Sequence, residues 1–128
     1  MPNTTSFELS KQLFEVAKSK GVELPATNSL HIGESTEATK ETHFKKQTSF
    51  YPKYTTDELL AWLPEIITTL NQKKENDEFG LSLFKLDDLF GATYENLYRE
   101  PRFKVFENTP SNALAKLAIY LIENDLLN

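Results

Sequence analysis

The sequence contains no cysteine, and its four glycines are scattered along the chain. The missing cysteines exclude disulfides, thiolate metal ligands and cysteine nucleophiles. The scattered glycines exclude a glycine-rich loop that cradles a phosphate. No apolar run approaches the roughly 18 residues of a membrane span, and the first twenty residues carry charges throughout, unlike a signal peptide. These absences predict a cytoplasmic protein with no contact to a membrane.

Charge is unevenly distributed between the two parts of the chain. Residues 1–50 are neutral overall, so residues 51–128 carry the whole net charge of −5. An acidic main body repels phosphate backbones, and broad nucleic-acid binding is therefore not expected. The 128 residues, 12% of them aromatic, suffice for one domain over residues 1–128 with a core rich in Phe and Tyr.

The first and last of three amphipathic segments carry helix signals at their ends. The first segment follows a capping-box pattern at Thr5 and Glu8, and Gly21 is a suitable C-terminal cap. The last begins at Thr109 as N-cap, with Pro110 in the first helical position, where a missing N–H is tolerated. Both segments are predicted to be helices.

A second capping box, at Thr55 and Glu58, begins the middle helix. A helical stripe continues beyond it through Leu59, Leu63, Ile66, Ile67 and Leu70. Pro64 interrupts that stripe and costs ~3 kcal/mol inside a helix. The helix is therefore expected either to end near Trp62 or to kink there.

Two apolar runs around Asp87–Asp88 predict a β-hairpin. A two-residue loop pairs Leu86 with Leu89, Leu83 with Ala92 and Leu81 with Tyr94. Alternation then gives one fully apolar face, and a second, half-polar face that carries Phe84, Leu86 and Leu89. Residues 102–106 are predicted to form a third strand.

Residues 23–50 show little periodicity, and we predict a loop-rich, partly mobile segment with a short strand around 43–48. The elements together predict an α+β domain of two layers, in which a small antiparallel sheet of about three to four strands packs on helices. The expected order is α-(β)-α-β-β-β-α.

The segment YTTDELLAWLPEII (54–67) and the closing NALAKLAIYLIENDLL (112–127) together resemble a family of small proteins encoded by bacteriophages and prophages of gut bacteria, Bacteroidetes among them. The resemblance covers residues 54–70 and 79–127 well and residues 6–22 loosely. It implies a fold, a phage or prophage setting and a cytoplasmic product. The family has no assigned activity, so the resemblance supplies no catalytic residues and no cofactor.

A second likeness, of topology alone, is to antitoxins with a partial ribonuclease-H-like fold. It implies an alternative function as an antitoxin-like or regulatory nucleic-acid-associated protein. That alternative predicts one basic stripe, formed by Arg99, Arg102, Lys104 and Lys116. Nearby acidic residues cancel much of this charge, and a solvated strand face is the favoured interpretation.

His31 and His43, with Glu34, Glu37 and Glu41 nearby, are the only candidates for a histidine–carboxylate metal site. Their spacing lies on no helix face, so surface or packing histidines are the favoured interpretation. Asp87–Asp88 form an adjacent carboxylate pair, but adjacent turn residues point apart and rarely converge on one reacting atom. We therefore predict no catalytic residue, no metal and no cofactor.

Four large side chains are the candidates for a protein contact: Trp62, Phe84, Leu86 and Leu89. Trp62 lies beside the main helical stripe, and Trp is favoured at interface hot spots. The other three form an apolar patch if no helix covers their sheet face. The expected function is non-enzymatic and depends on an unidentified protein partner or a homodimer, formed through the sheet face or an exposed edge strand.

Overall fold

A computed structural model describes residues 4–27, 29–38, 44–70 and 76–127; for 33–38, 44–49, 70 and 76 it describes the backbone alone. The elements follow in the order α1 (Phe7–Lys20), β1 (Leu30–Ala38), β2 (Phe44–Pro52), α2 (Thr56–Trp62), β3 (Ile66–Leu70), β4 (Asn76–Leu86), β5 (Leu89–Glu95), β6 (Pro101–Glu107) and α3 (Pro110–Glu123). This is the predicted α+β fold, with three helices and antiparallel strands.

The strands form two separate antiparallel sheets. β3, β4, β5 and β6 lie in that order in a four-stranded sheet, while β1 and β2 pair only with each other as a hairpin, here called the arm. α3 packs on one face of the four-stranded sheet, where the rings of Phe103 and Tyr120 stack with centroids 4.1 Å apart. We call this the inner face and the opposite one the outer face.

The core lies between the inner face, α3, α1 and α2. Its buried side chains come from all of these elements and include Leu13, Leu59, Tyr94, Leu117 and Leu121. α1 also packs along α3, and the backbone N–H of Ser6 donates to Asn112 Oδ1 at 2.8 Å. The first and last helices of the chain are thus joined at their N-termini.

The β4–β5 hairpin has the predicted register. Leu86 pairs with Leu89, Leu83 with Ala92 and Leu81 with Tyr94. The turn is possible because Asp87 adopts a left-handed backbone conformation, with φ 55°, and Asp tolerates this region better than most residues. The alternation predicted from the sequence therefore holds on both faces.

The capping box predicted at Thr5 and Glu8 is wrong. Ser6 is the N-cap of α1, and its hydroxyl accepts from Leu9 N–H. Thr5 is buried instead, where its hydroxyl lies 2.6 Å from that of Ser10 and accepts from the N–H of Tyr54. At the other end of α1, Gly21 takes the expected left-handed cap, with φ 69°.

α2 has the predicted capping box between Thr55 and Glu58 and ends at Trp62. Leu63 is already extended, as expected for a residue before proline. The continuation of the helical stripe through Ile66, Ile67 and Leu70 is wrong, because these residues belong to strand β3.

The loop-rich prediction for residues 23–50 is also wrong over most of its length. β1 and the first seven residues of β2 occupy 30–38 and 44–50, and they pair continuously from Leu30–Pro52 to Ala38–Phe44. The short strand expected around 43–48 corresponds to β2, although His43 itself lies outside the described residues. Two-residue periodicity failed to reveal these strands because polar residues occupy both faces of the sequence pattern.

Candidate functional site

The outer face of the four-stranded sheet carries an apolar patch. Strand alternation places Phe84, Leu86, Leu89 and Phe106 on this face, and we call these four residues the outer patch. Leu86 is 56% exposed, Leu89 39% and Phe106 37%. Among the described elements, every helix that packs on this sheet does so from the inner side. Three of the predicted contact residues therefore lie together on an uncovered surface.

Phe84 holds the centre of the outer patch in place. Its ring lies over Gly91, meets Phe106 edge-on with centroids 5.7 Å apart, and has Lys104 Nζ 5.8 Å above it. A phenyl ring over a strand glycine covers the backbone that the missing side chain leaves open. These three contacts define the shape of the aromatic centre of the patch.

Trp62, the fourth predicted contact residue, does not join the outer patch. Its half-buried ring packs against the core, and its Nε1–H donates to the carbonyl of Glu23 at 3.2 Å. Val22, Pro64 and Leu127 line the same small cleft. Trp62 thus joins the end of α2 to the segment after α1. It has a packing role here, which is the alternative to the contact role considered for it from the sequence.

Of the two candidate histidines, the structure describes only His31. His31 Nε2 lies 2.6 Å from the carbonyl oxygen of Thr5, and its ring meets Phe7 edge-on at 5.9 Å. His43 and Glu41 lie outside the described residues, as do the side chains of Glu34 and Glu37. Within the described part of the chain, no group of three His, Asp or Glu side chains is arranged to hold a metal ion. His31 fastens the arm to the N-terminal segment.

Three of the four cations of the predicted basic stripe have different neighbours. Arg99 pairs with Glu95 at 3.8 Å, and Lys116 pairs with Glu107 at 3.2 Å. Lys104 lies over Phe84 on the outer face, whereas Lys116 approaches β6 from α3 on the inner side. Strand alternation puts Arg102 on the same outer face as Lys104, so the structure separates Lys116 from the rest of the predicted stripe. Asp87 and Asp88 form the exposed hairpin turn beside the outer patch.

Two further apolar surfaces were missed in the sequence. One is the face of the arm that points away from α1, where Ile32 is 68% exposed between Leu30 and Phe50. The other is the β5–β6 turn, in which Leu97 is 98% and Tyr98 84% exposed. Neither has a strong sequence signal, because residues 23–50 show little periodicity and the turn contains only two apolar residues.

Two buried tyrosines have the most strongly perturbed acid–base behaviour in the described part of the chain. Burial, followed by the nearby charge of Glu58, raises the pKa of Tyr54 to about 12. Burial also raises the pKa of Tyr94, whose hydroxyl donates to the carbonyl of Pro64 at 2.6 Å. Both groups are part of the core, and the raised pKa reflects the cost of a buried phenolate.

In comparisons with protein-family models, curated proteins and solved structures, no match to this chain is found. None of the helices in the described residues is long and apolar enough to cross a membrane. The candidate site is therefore defined by its own geometry, and that geometry is an uncovered apolar sheet face.

Proposed function

We propose that this protein acts by protein–protein contact through the outer patch and does not catalyse a reaction. One observation carries the proposal: four large apolar side chains lie together on a sheet face against which no described helix or strand packs. Contiguous exposed apolar surface commonly marks a partner site, because its burial removes unfavourable contact with water.

The outer patch has the composition of a contact site. Phe84 and Phe106 form an aromatic centre, and Lys104, Asp87 and Asp88 provide charge around it. Protein interfaces combine an apolar, aromatic centre with a polar rim. Because Leu86 is about half exposed, covering it contributes ~1 kcal/mol, out of roughly 1.5–3 kcal/mol for a fully exposed Leu. The partner is expected to present an apolar surface of its own.

The proposed setting is an accessory protein of a phage or prophage, located in the cytoplasm. It rests on the resemblance of residues 54–70 and 79–127 to proteins of that origin. The neighbouring genes test the setting: virion or early-phage genes would support it, and a position among unrelated housekeeping genes would contradict it. Fractionation of cells that carry the natural gene tests the location.

The contact itself is tested by affinity capture from the natural host cell with quantification of bound proteins. Leu86→Lys places a charge in the outer patch, at an exposed position where the fold tolerates it. Leu60→Lys is the matched control, since Leu60 is 37% exposed on α2 and lies outside the patch. We expect a protein bound by the wild type to be lost with Leu86→Lys and retained with Leu60→Lys.

Equal capture by both variants would show that the bound protein does not use the outer patch. A wild-type chain that captures nothing above the background of an unrelated protein would contradict the proposal directly. Circular dichroism of both variants establishes that a loss of binding does not reflect unfolding.

A further inference from the structure

Strand β3 exposes unpaired backbone groups at the edge of the four-stranded sheet. The N–H of Leu81 donates to the carbonyl of Glu65 at 2.8 Å, so these two residues form a hydrogen-bonded pair. Hydrogen-bonded and non-hydrogen-bonded pairs alternate along an antiparallel ladder. From that pair, the alternation makes Ile66–Gly80 non-hydrogen-bonded, Ile67–Phe79 hydrogen-bonded and Thr68–Glu78 again non-hydrogen-bonded. The N–H and C=O of Thr68 therefore point away from β4, to the open edge.

The same alternation gives β3 three outward-facing positions: Ile66, Thr68 and Leu70. Among the described elements, only β4 has extensive contact with β3. The strand, IITTL, has no charged residue and no proline, in a chain that is 26% charged. Ile66 is 55% exposed. Natural sheets commonly block their edges with Lys, Pro or a bulge, and β3 has none of these.

The opposite edge strand, β6, is blocked in the usual way. It begins at Pro101, carries Arg102 and Lys104, and has a register shift opposite Glu95. Its carbonyl at Arg102 also accepts from the hydroxyl of Tyr120. The two edges of the sheet thus differ, since β6 is protected against pairing with a further strand and β3 is not.

We propose that β3 pairs antiparallel with β3 of a second copy of this chain. The strand has five residues, and its middle residue, Thr68, faces the edge. A two-fold axis at Thr68 therefore places it opposite its own copy, with the backbone of Ile66 opposite that of Leu70. All three outward positions then form hydrogen-bonded pairs, as an isologous interface requires. The result is a continuous sheet of eight strands.

This inference is independent of the proposed function, because it rests on backbone direction and not on the outer patch. The pairing brings together two uncharged strands. Five paired residues bury a small area, so the dimer is weak and depends on concentration. In the dimer the two outer patches lie on the same side of one sheet, which offers a partner two equivalent sites.

The pairing is tested by sedimentation equilibrium over a range of protein concentrations. Thr68→Pro removes only an N–H that points to the edge, so it blocks pairing without breaking a bond to β4. Lys104→Pro is the matched control, because Lys104 pairs with Thr93 and the alternation points its N–H to the other edge. We expect the wild type and Lys104→Pro to approach twice the chain mass at high concentration, and Thr68→Pro to remain monomeric.

A wild type that stays monomeric at every concentration, or a dimer that survives Thr68→Pro, would overturn the inference. Should Thr68→Pro unfold, Thr68→Lys places two like charges at the axis and must also abolish the dimer. Leu86→Lys must leave the dimer intact, and Thr68→Lys must leave partner capture measurable. The failure of one proposal is thereby distinguishable from the failure of the other.

Discussion

Gly91 illustrates how a single residue shapes the outer patch. A Cβ built at this position would lie 2.4 Å from Cζ of Phe84 and under 3.0 Å from both of its Cε atoms. Cβ atoms essentially never approach other atoms so closely, so a side chain here must displace the far end of the Phe84 ring. The absence of a side chain at residue 91 is what lets Phe84 lie flat over the strand and reach Phe106.

We expect Gly91→Ala to destabilise the fold by about 1 kcal/mol, the low end for overpacking, because the ring it meets is half-buried and can lift from the uncovered face. In the background of Phe84→Ala the ring is gone, and the same Gly91→Ala change should cost little. The measurement is a double-mutant cycle in urea, with a coupling free energy of about 1 kcal/mol. Additive effects of the two changes would show that the ring does not lie on Gly91 in solution.

Because of Tyr54 and Tyr94, the free energy of unfolding should fall at high pH. A tyrosine whose pKa is raised on folding stays protonated in the folded state while the unfolded chain ionises above about pH 10. The stabilisation is complete below pH 10 and is lost as the pH rises towards 12, where Tyr54 titrates in the folded state. The loss at pH 12 is on the order of 2 kcal/mol for Tyr54.

Urea denaturation between pH 9 and pH 12 measures this effect. Tyr54→Phe should flatten the decline of the free energy of unfolding with pH, and the exposed Tyr98→Phe should leave it unchanged. The same slope in both variants would mean that Tyr54 does not resist ionisation in the folded protein.

At the scale of single elements, the sequence predicts those structures whose signals are local. The capping box at Thr55, the proline at the start of α3 and the register of the β4–β5 hairpin depend on residues within a few positions of each other. The segment after Pro64 shows where this reasoning fails. Ile66 and Ile67 fit a helical stripe as well as a strand, and only pairing with β4 decides between them.

The arm is held to the rest of the molecule at its base. His31 donates to the carbonyl of Thr5, and Phe7 and Phe14 of α1 each meet Tyr51 edge-on within 5.6 Å between centroids. These contacts use the odd-numbered face of β1 and β2 near the base, while Ile32 and Phe50 on the other face are exposed. Among the described residues, these aromatic contacts and the hydrogen bond of His31 hold the base of the arm against α1 and the N-terminal segment.

We expect His31→Ala to increase amide hydrogen exchange within residues 30–52 several-fold, because a base contact and a hydrogen bond are lost. Exchange in β4 and β5 should not change. Ile32→Ala, one residue away on the exposed face, is the matched control and should leave exchange near wild type. Exchange that rises equally in both variants would show that His31 has no special role in fastening the arm.

At the scale of the whole molecule, the packing of α3 on the inner sheet face leaves the outer face uncovered by any described helix. α3 is buried along nearly its whole apolar side by the sheet and α1, so one face of the sheet is fully occupied. The sequence could place Phe84, Leu86 and Leu89 on one face, but it could not show which face the helices choose. That choice depends on contacts between residues far apart in the chain, and local patterns do not record it.

The most direct test of the outer patch as a contact surface is site-specific photo-cross-linking in the natural host cell. A photoreactive residue replaces Leu86 in one variant and Leu60 in the other, so the two probes differ only in where they lie. An adduct with a second copy of the chain has twice the chain mass and is thereby distinguished from one with a different protein. We predict an adduct of a different protein from position 86 and none above background from position 60. Equal yields from the two positions, or no adduct from position 86, would contradict the account.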